Sequence, residues 1–252
     1  MRSKIIGIRL AILGVIITFW EAAPTMGWID PATLPPASSV AGMAWQLLHM
    51  PRFLANLLVT GERVVLAFVL AAPIAVLLGI VIGERLATRR AFEPALRIAI
   101  SIPQSVFLPV FILAFGIGFA QKVIFGATHV IFVVMINTVA AVRSIPSGYG
   151  PLALTMGASR TQTFWRFYIP AMAPYLTTEL RLGLALDVVG VLLAEMYGSK
   201  DGVGLQIFIW SETLHTVELF APILIVSVAT IFINETMRLL ENYFGRWRNT
   251  LP

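Results

Sequence analysis

Few side chains in this 252-residue chain carry chemistry beyond packing, and their spacing excludes most catalysis. There is no cysteine, hence no thiolate nucleophile, disulfide framework or thiolate metal site. His49, His129 and His215 are far apart and form no HExxH-like pair. No G-x-x-x-x-G-K-[ST] phosphate loop is present, and the only Gly-Ser-Lys, at 198–200, is expected to face outward. ATP hydrolysis is therefore not expected of this chain. What remains is a small set of polar residues within apolar runs: Asn137, Asp187 and Glu195. With His129 they are scattered over two segments, without nucleophile–base spacing, which excludes an enzyme of ordinary kind.

The elements that hold these residues follow from composition. Hydrophobic residues make up 58% of the chain and charged residues only 12%, against about 25% in a soluble domain. Mean hydropathy is +0.86. So few charges cannot cover a water-soluble surface, and a polytopic membrane protein is expected. The net charge of +5 does not indicate nucleic-acid binding, because the basic residues lie between apolar runs and form no single patch.

Runs without Asp, Glu, Lys or Arg cover 64–83, 98–120 and 123–142, each long enough to cross a bilayer as a helix. Weaker spans are expected at about 176–197, which contains Glu179, Arg181, Asp187 and Glu195, and at 219–237. A further run, 5–22, follows Arg2 and Lys4 and contains Arg9. It shares features with a signal peptide but is expected to remain as an uncleaved first helix, with Arg9 reaching the interface. With six spans and the N-terminus inside, only Arg52, Arg63, Lys122 and Lys200 of the 18 basic residues fall outside. This distribution places both termini in the cytoplasm.

Two connections exceed a turn. The outer one, 24–51, contains a Pro-rich stretch, and Ser38 or Ser39 is expected to cap a short surface helix over 40–48. The inner one, 143–174, predicts a helix starting at Gly150-Pro151. Gly157 is expected to end that helix in the left-handed region. Ser159 and Gln162 fit a capping box for a second helix, which Pro170 should break or kink. The apolar side chains of this pair need a partner, either the chain's own spans or a separate cytoplasmic protein. In the spans, Gly79-x-x-x-Gly83 favours close helix approach, within the chain or between copies. Pro73, Pro103 and Pro109 are expected to interrupt helices at membrane depth, with Pro103 and Pro109 in one span beside a pathway.

The inner connection resembles the EAA loop of ABC-transporter permease subunits, a pattern of E-A-A-x-x-x-G, nine residues, then I-x-L-P. Here it falls on Pro151-Leu152-Ala153, Gly157 and Phe167-Tyr168-Ile169-Pro170, with Gly157-Ala158-Ser159 and Ile169-Pro170-Ala171 matching well. Pro151 stands where the family has Glu and Leu152 where it has Ala, so a helix-start residue is kept and a charge is lost. The likeness extends over about 54–216. Ile102-Pro103, Phe107-Leu108-Pro109, Phe115-Gly-Ile-Gly118, Asn137-Thr138, Leu180-Arg181-x-Gly183, Ala194-Glu195-Met196 and Gly202-x-Gly204 resemble segments of the nitrate/sulfonate/taurine subfamily.

The resemblance implies an all-α integral membrane fold of about six helices, of the MetI-like type I importer kind. It implies an N-terminal helix and outer loop at 1–53, a permease core at 54–240 and a tail at 241–252. The loop residues Pro151, Leu152, Ala153, Met156, Gly157, Ala158, Ser159, Ile169 and Pro170 would dock an ATP-binding subunit, which would hold ATP and Mg. A solute-binding protein, periplasmic or lipid-anchored, would deliver the cargo, and a second copy of the chain would complete the pathway in the inner membrane. Pro103, Pro109, Asn137, Asp187 and Glu195 are candidate pathway residues. Asp187 either lines the pathway or is a carboxyl bonded to Ser, Thr or Asn, or kept protonated, within the bundle. In the pathway it would repel a sulfonate or nitrate, which keeps open a neutral or cationic cargo such as a pyrimidine vitamin precursor. A proton-coupled secondary transporter is the alternative class.

Overall fold

The structure is a computed structural model that describes residues 2–145 and 148–244. Residues 146 and 147 of the inner connection, and 245–252 of the expected tail, lie outside the described residues. The end assigned to the outside by the charge distribution is called the outer end.

The described residues are helical between short connections, because backbone groups in lipid must bond within their own segment. Helix α1 (Arg2–Thr25) lies mostly apart from the bundle and meets α2 (Ala37–Leu47) at its outer end. There Trp20 Nε1 donates to the Pro35 carbonyl at 3.0 Å. Ser38 donates from its backbone nitrogen and hydroxyl to Glu21, at 2.9 and 2.8 Å. Ser38 and Ser39 thus do not cap α2, whose preceding residue is Pro36. Helix α2 keeps one face at the surface, with Ser39, Gly42 and Trp45 exposed, and buries the other. Val40, Ala44 and Leu47 are buried against Val203, Ile207 and Ala221, because its apolar residues repeat at helical spacing on one face.

Helix α3 (Pro51–Glu84) has 34 residues and begins with proline in its first turn. Pro73 lies within α3 without ending it, contrary to the expected interruption. The run 98–120 is not one span. Helix α4 (Leu86–Ser101) stops before Pro103, a 3₁₀ turn covers Gln104–Phe107, and α5 (Leu108–Phe115) follows at 81° to α4. Proline disfavours helical backbone at the residue before it, and Ile102 before Pro103 is extended; Pro109 instead lies in the first turn of α5. Helix α6 (Phe119–Arg143) returns to the inner end.

Beyond it come α7 (Tyr149–Thr155), a single turn α8 (Arg160–Thr163), a π-helical segment Phe164–Tyr168 and α9 (Ile169–Met196). Helices α10 (Val203–Glu212) and α11 (Thr216–Phe244) complete the chain. Among the described residues four segments are long and apolar enough to cross a membrane: Ile6–Thr25, Pro51–Glu84, Phe119–Arg143 and Thr216–Leu239. The bent α4–α5 pair has the length and composition of a broken span or of a re-entrant loop. The 28 residues of α9 are long enough for another, but it carries Glu179, Arg181, Asp187 and Glu195.

Helix α6 is the centre, packed along α3 on one side and α9 on the other. Glycines bring these helices into close contact. A β-carbon at Gly79 would stand 2.8 Å from the Met135 carbonyl oxygen, and one at Gly83 would stand 2.9 Å from Val142 Cβ. The Gly79-x-x-x-Gly83 pair therefore serves packing within the chain.

Candidate functional site

The inner connection folds into a bend fixed by local chemistry. Helix α7 begins two residues earlier than predicted, so Pro151 lies within its first turn, where backbone N–H groups have no helical acceptor. Gly157 has φ +72°, which L side chains adopt only at a cost. Its N–H bonds the Leu154 carbonyl at 3.0 Å and that of Ala158 bonds the Ala153 carbonyl at 3.0 Å, the paired bonds of a Schellman ending. The capping box then closes as predicted: Ser159 N donates to Gln162 Oε1 at 2.9 Å and Gln162 N donates to Ser159 Oγ at 3.2 Å. Ala153 is fully buried, while Leu154 and Met156 are 70% and 69% exposed and Leu152 is half exposed. Trp165 adds a 63% exposed ring. Ala158 is half-buried and Ser159 exposed. The bend thus carries several exposed large apolar side chains close together in sequence.

Pro170 does not break the second helix. The π segment just before it widens the turn, with Ile169 N bonding the Phe164 carbonyl, and α9 continues through Pro170 to Met196. Ile169 and Pro170, both half-buried, belong to the first turn of α9. The widened turn accommodates a proline that has no N–H and whose ring would crowd the preceding carbonyl.

At the outer end of the bundle a buried polar centre joins α3 and α9 to the turn between α9 and α10. Glu195 is fully buried. It accepts from Arg63 Nη1 at 2.6 Å, from Thr60 Oγ1 at 2.9 Å and from Gly204 N at 2.9 Å. Arg63 also donates through Nη2 to Asp201, and its guanidinium lies 5.5 Å from the centre of the Phe119 ring. Thr60 accepts from Val203 N at 2.9 Å, and Asn56 accepts from Gly202 N at 2.7 Å. Lys122 on α6, also buried, donates to the Gly198 carbonyl. Gly202 has φ +99°, and a β-carbon there would stand 2.5 Å from the Glu195 oxygens. One at Gly204 would stand 2.6 Å from Glu195 Cβ. The G-x-G spacing thus lets the turn close over a carboxylate. A cavity of about 210 Å³ adjoins this centre, lined by Arg63, Phe119, Lys122, Lys200 and Asp201 among others.

Residues 73–249 match the family described as binding-protein-dependent transport system inner membrane component. The chain belongs to this family. The permease is 30% identical to the riboflavin transport system permease protein RibX of Chloroflexus aurantiacus, over 93% of this chain and 88% of that protein. It is 27% identical to the putative aliphatic sulfonates transport permease protein SsuC of Bacillus subtilis, over 96% and 87%. Its fold matches a chain from inward-facing conformations of the MetNI methionine ABC transporter. The TM-score is 0.60 at 18% identity, covering 83% of this chain and 98% of that one. The permease is thus a transmembrane subunit of an ABC importer, an inner membrane component whose family works with binding proteins.

The structure does not bring the five candidate pathway residues of the permease together. Glu195 lies in the outer polar centre. Pro103 and Pro109 are exposed at the α4–α5 bend. Asn137 is half-buried on α6. Asp187 is fully buried where α9 crosses α6. Its carboxylate lies over Gly126, with Val191 and Ala67 beside it. Neither oxygen bonds Ser, Thr or Asn, and neither has a hydrogen-bond partner among the described residues.

Sequence reasoning missed Thr60 and Asp201 and placed Arg63 and Lys122 only as charges of the outer segments. The signal was present: Asn56, Thr60 and Arg63 are spaced four and three residues apart, which puts three polar groups on one face of an apolar helix.

Proposed function

We propose that the permease moves its solute by transmitting the movements of an ATP-binding subunit through the bend at 149–170. The observation that carries this reading is the exposed apolar group Leu152, Leu154 and Met156, held on a bend locked by the Gly157 ending and the Ser159–Gln162 box. In this reading Pro151, Leu152, Ala153, Met156, Gly157, Ala158, Ser159, Ile169 and Pro170 form the coupling element. ATP and Mg sit on the partner subunit, and this chain hydrolyses nothing. Two copies of the permease enclose the pathway, and the exposed apolar residues of the α4–α5 bend, such as Val106 and Leu113, support a contact there. Both termini lie in the cytoplasm, as the basic residues favour.

The cargo is a small solute of the nitrate, sulfonate and taurine kind, delivered by a solute-binding protein. Asp187 does not argue against an anion, because its carboxylate is fully buried against Gly126 of a neighbouring helix. A neutral vitamin is the second reading, favoured by the likeness to the riboflavin permease.

The test is co-purification in mild detergent. The unmodified chain is expected to retain an ATP-binding subunit, and Leu154→Asp with Met156→Glu is expected to lose it while remaining monodisperse. Retention of the ATPase by that variant would refute the coupling surface.

A further inference from the structure

A second cavity of about 430 Å³ opens at the inner end, where α3, α4, α6 and the π segment meet. Its apolar lining is Ile80, Gly83, Val142, Ile145, Phe164 and Met172, the last fully buried. Its polar groups are Arg89, Arg143, Tyr168 and one carboxylate, Glu84. The Arg89 guanidinium has no hydrogen bond or salt bridge among the described residues. Arg143 is held loosely by Glu93 at 3.6 Å, while Glu93 bonds Arg97 at 2.7 Å. Arg85, Arg90 and Arg97 stand nearby on or beside α4, together with the exposed apolar residues Leu86, Phe92 and Ile98. A helix carrying exposed arginines and exposed apolar residues fits the headgroup layer.

We propose that this cavity binds the phosphate headgroup of an anionic phospholipid of the cytoplasmic leaflet, with Arg89 and Arg143 on the phosphate and Tyr168 beside it. A basic pocket between spans with apolar walls has the chemistry of a charged headgroup carrying acyl chains. A soluble phosphate would satisfy the arginines but would leave Phe164 and Val142 without an apolar partner. The lipid would brace the joint between the coupling element and α9, since Phe164 and Tyr168 begin and end the π segment. Assignment to the cytoplasmic leaflet rests on the orientation proposed above. The phosphate chemistry does not.

The test is native mass spectrometry of the purified permease in detergent, with added phosphatidylglycerol or phosphatidylcholine. Preferential retention of phosphatidylglycerol is expected. Arg89→Gln with Arg143→Gln should weaken that retention about thirtyfold, and Arg52→Gln, in the first turn of α3 at the opposite end from the cavity, should leave it unchanged. Equal retention of the two lipids overturns the proposal, and so does full retention by the double variant. Displacement of the phosphatidylglycerol by millimolar glycerol phosphate or inorganic phosphate assigns the cavity to a soluble anion and overturns the lipid. If the double variant does not fold, the comparison of lipids on the unmodified chain decides. Orientation is read separately: with no native cysteine, Arg90→Cys should resist an impermeant maleimide in right-side-out vesicles. Labelling there would refute the orientation alone.

Discussion

Arg63 and Glu195 are 132 residues apart in the chain and meet at 2.6 Å with both side chains almost fully withdrawn from solvent. The second nitrogen of the same guanidinium holds Asp201, so one side chain ties the end of α9 to the turn that follows it. Thr60 and Gly204 fill the remaining acceptor positions of the carboxylate. Removing one partner of such a pair leaves a buried, uncompensated charge. Arg63→Met is therefore expected to cost about 3–5 kcal/mol, read as a large drop in the melting temperature of the detergent-solubilised chain. Arg63→Lys should recover only part of the loss, because a single ammonium cannot present two nitrogens in fixed geometry to both carboxylates. Full recovery by lysine would mean that charge alone matters here.

Gly126 faces the Asp187 carboxylate and Val191, which lie one turn apart on α9. A β-carbon at position 126 would come within 2.6 Å of Val191 Cγ2 and closer still to Asp187 Oδ1. Gly126→Ala is expected to destabilise the chain by about 1–3 kcal/mol through overpacking. Gly126→Ala combined with Asp187→Ala should be less destabilised than the sum of the two single variants, because the shorter side chain relieves part of the clash. Additive losses in thermal melts would show that the two positions do not share this contact.

The bend of the coupling element was legible in the sequence because its determinants are local: a left-handed Gly157 and a Ser159–Gln162 box act over three residues. The α4–α5 break was half legible: an interruption at Pro103 was expected and is found, but not the size of the bend. Hydropathy over 98–120 measures whether a segment is apolar, and a straight span and one bent by 81° have the same composition. Pro103 and Pro109 were visible, yet proline is compatible with a continuous helix, as Pro73 in α3 shows. The outer polar centre was half legible. The face formed by Asn56, Thr60 and Arg63 could be read from its spacing, but its partner lies far along the chain and only packing brings it near. The environment of Asp187 was illegible for the same reason, since it depends on a glycine of another helix.

Ser159 and Gly157 fix the direction in which α7 leaves the bundle. Gly157→Ala forces an alanine into the left-handed region at about 1–2 kcal/mol, and Ser159→Ala removes a cap at about 1 kcal/mol. Both variants are expected to leave the remote helices intact and to weaken retention of the ATP-binding subunit, with little change in melting temperature, because the affected segment is short and exposed. Measuring both quantities on one preparation separates a local effect from general unfolding. A fall in melting temperature that matches the loss of retention would refute a local role.

Pro170 offers a test of the joint itself. Its ring and missing N–H make regular α-helix unfavourable at this point, and the π turn over Phe164–Tyr168 supplies the extra width. Pro170→Ala restores the donor and removes the ring, so the segment is free to tighten into α-helix. Tightening by one residue would rotate everything before it, including the exposed face of α7, by about 100° relative to α9. The variant is expected to be as stable as the unmodified chain or more so. In reconstituted vesicles, however, the ratio of solute transported to ATP hydrolysed by the assembled importer should fall. Stability and coupling moving in opposite directions is the signature of a geometric joint. Unchanged coupling in Pro170→Ala would mean that the π turn is a local accommodation of the proline with no part in transmission.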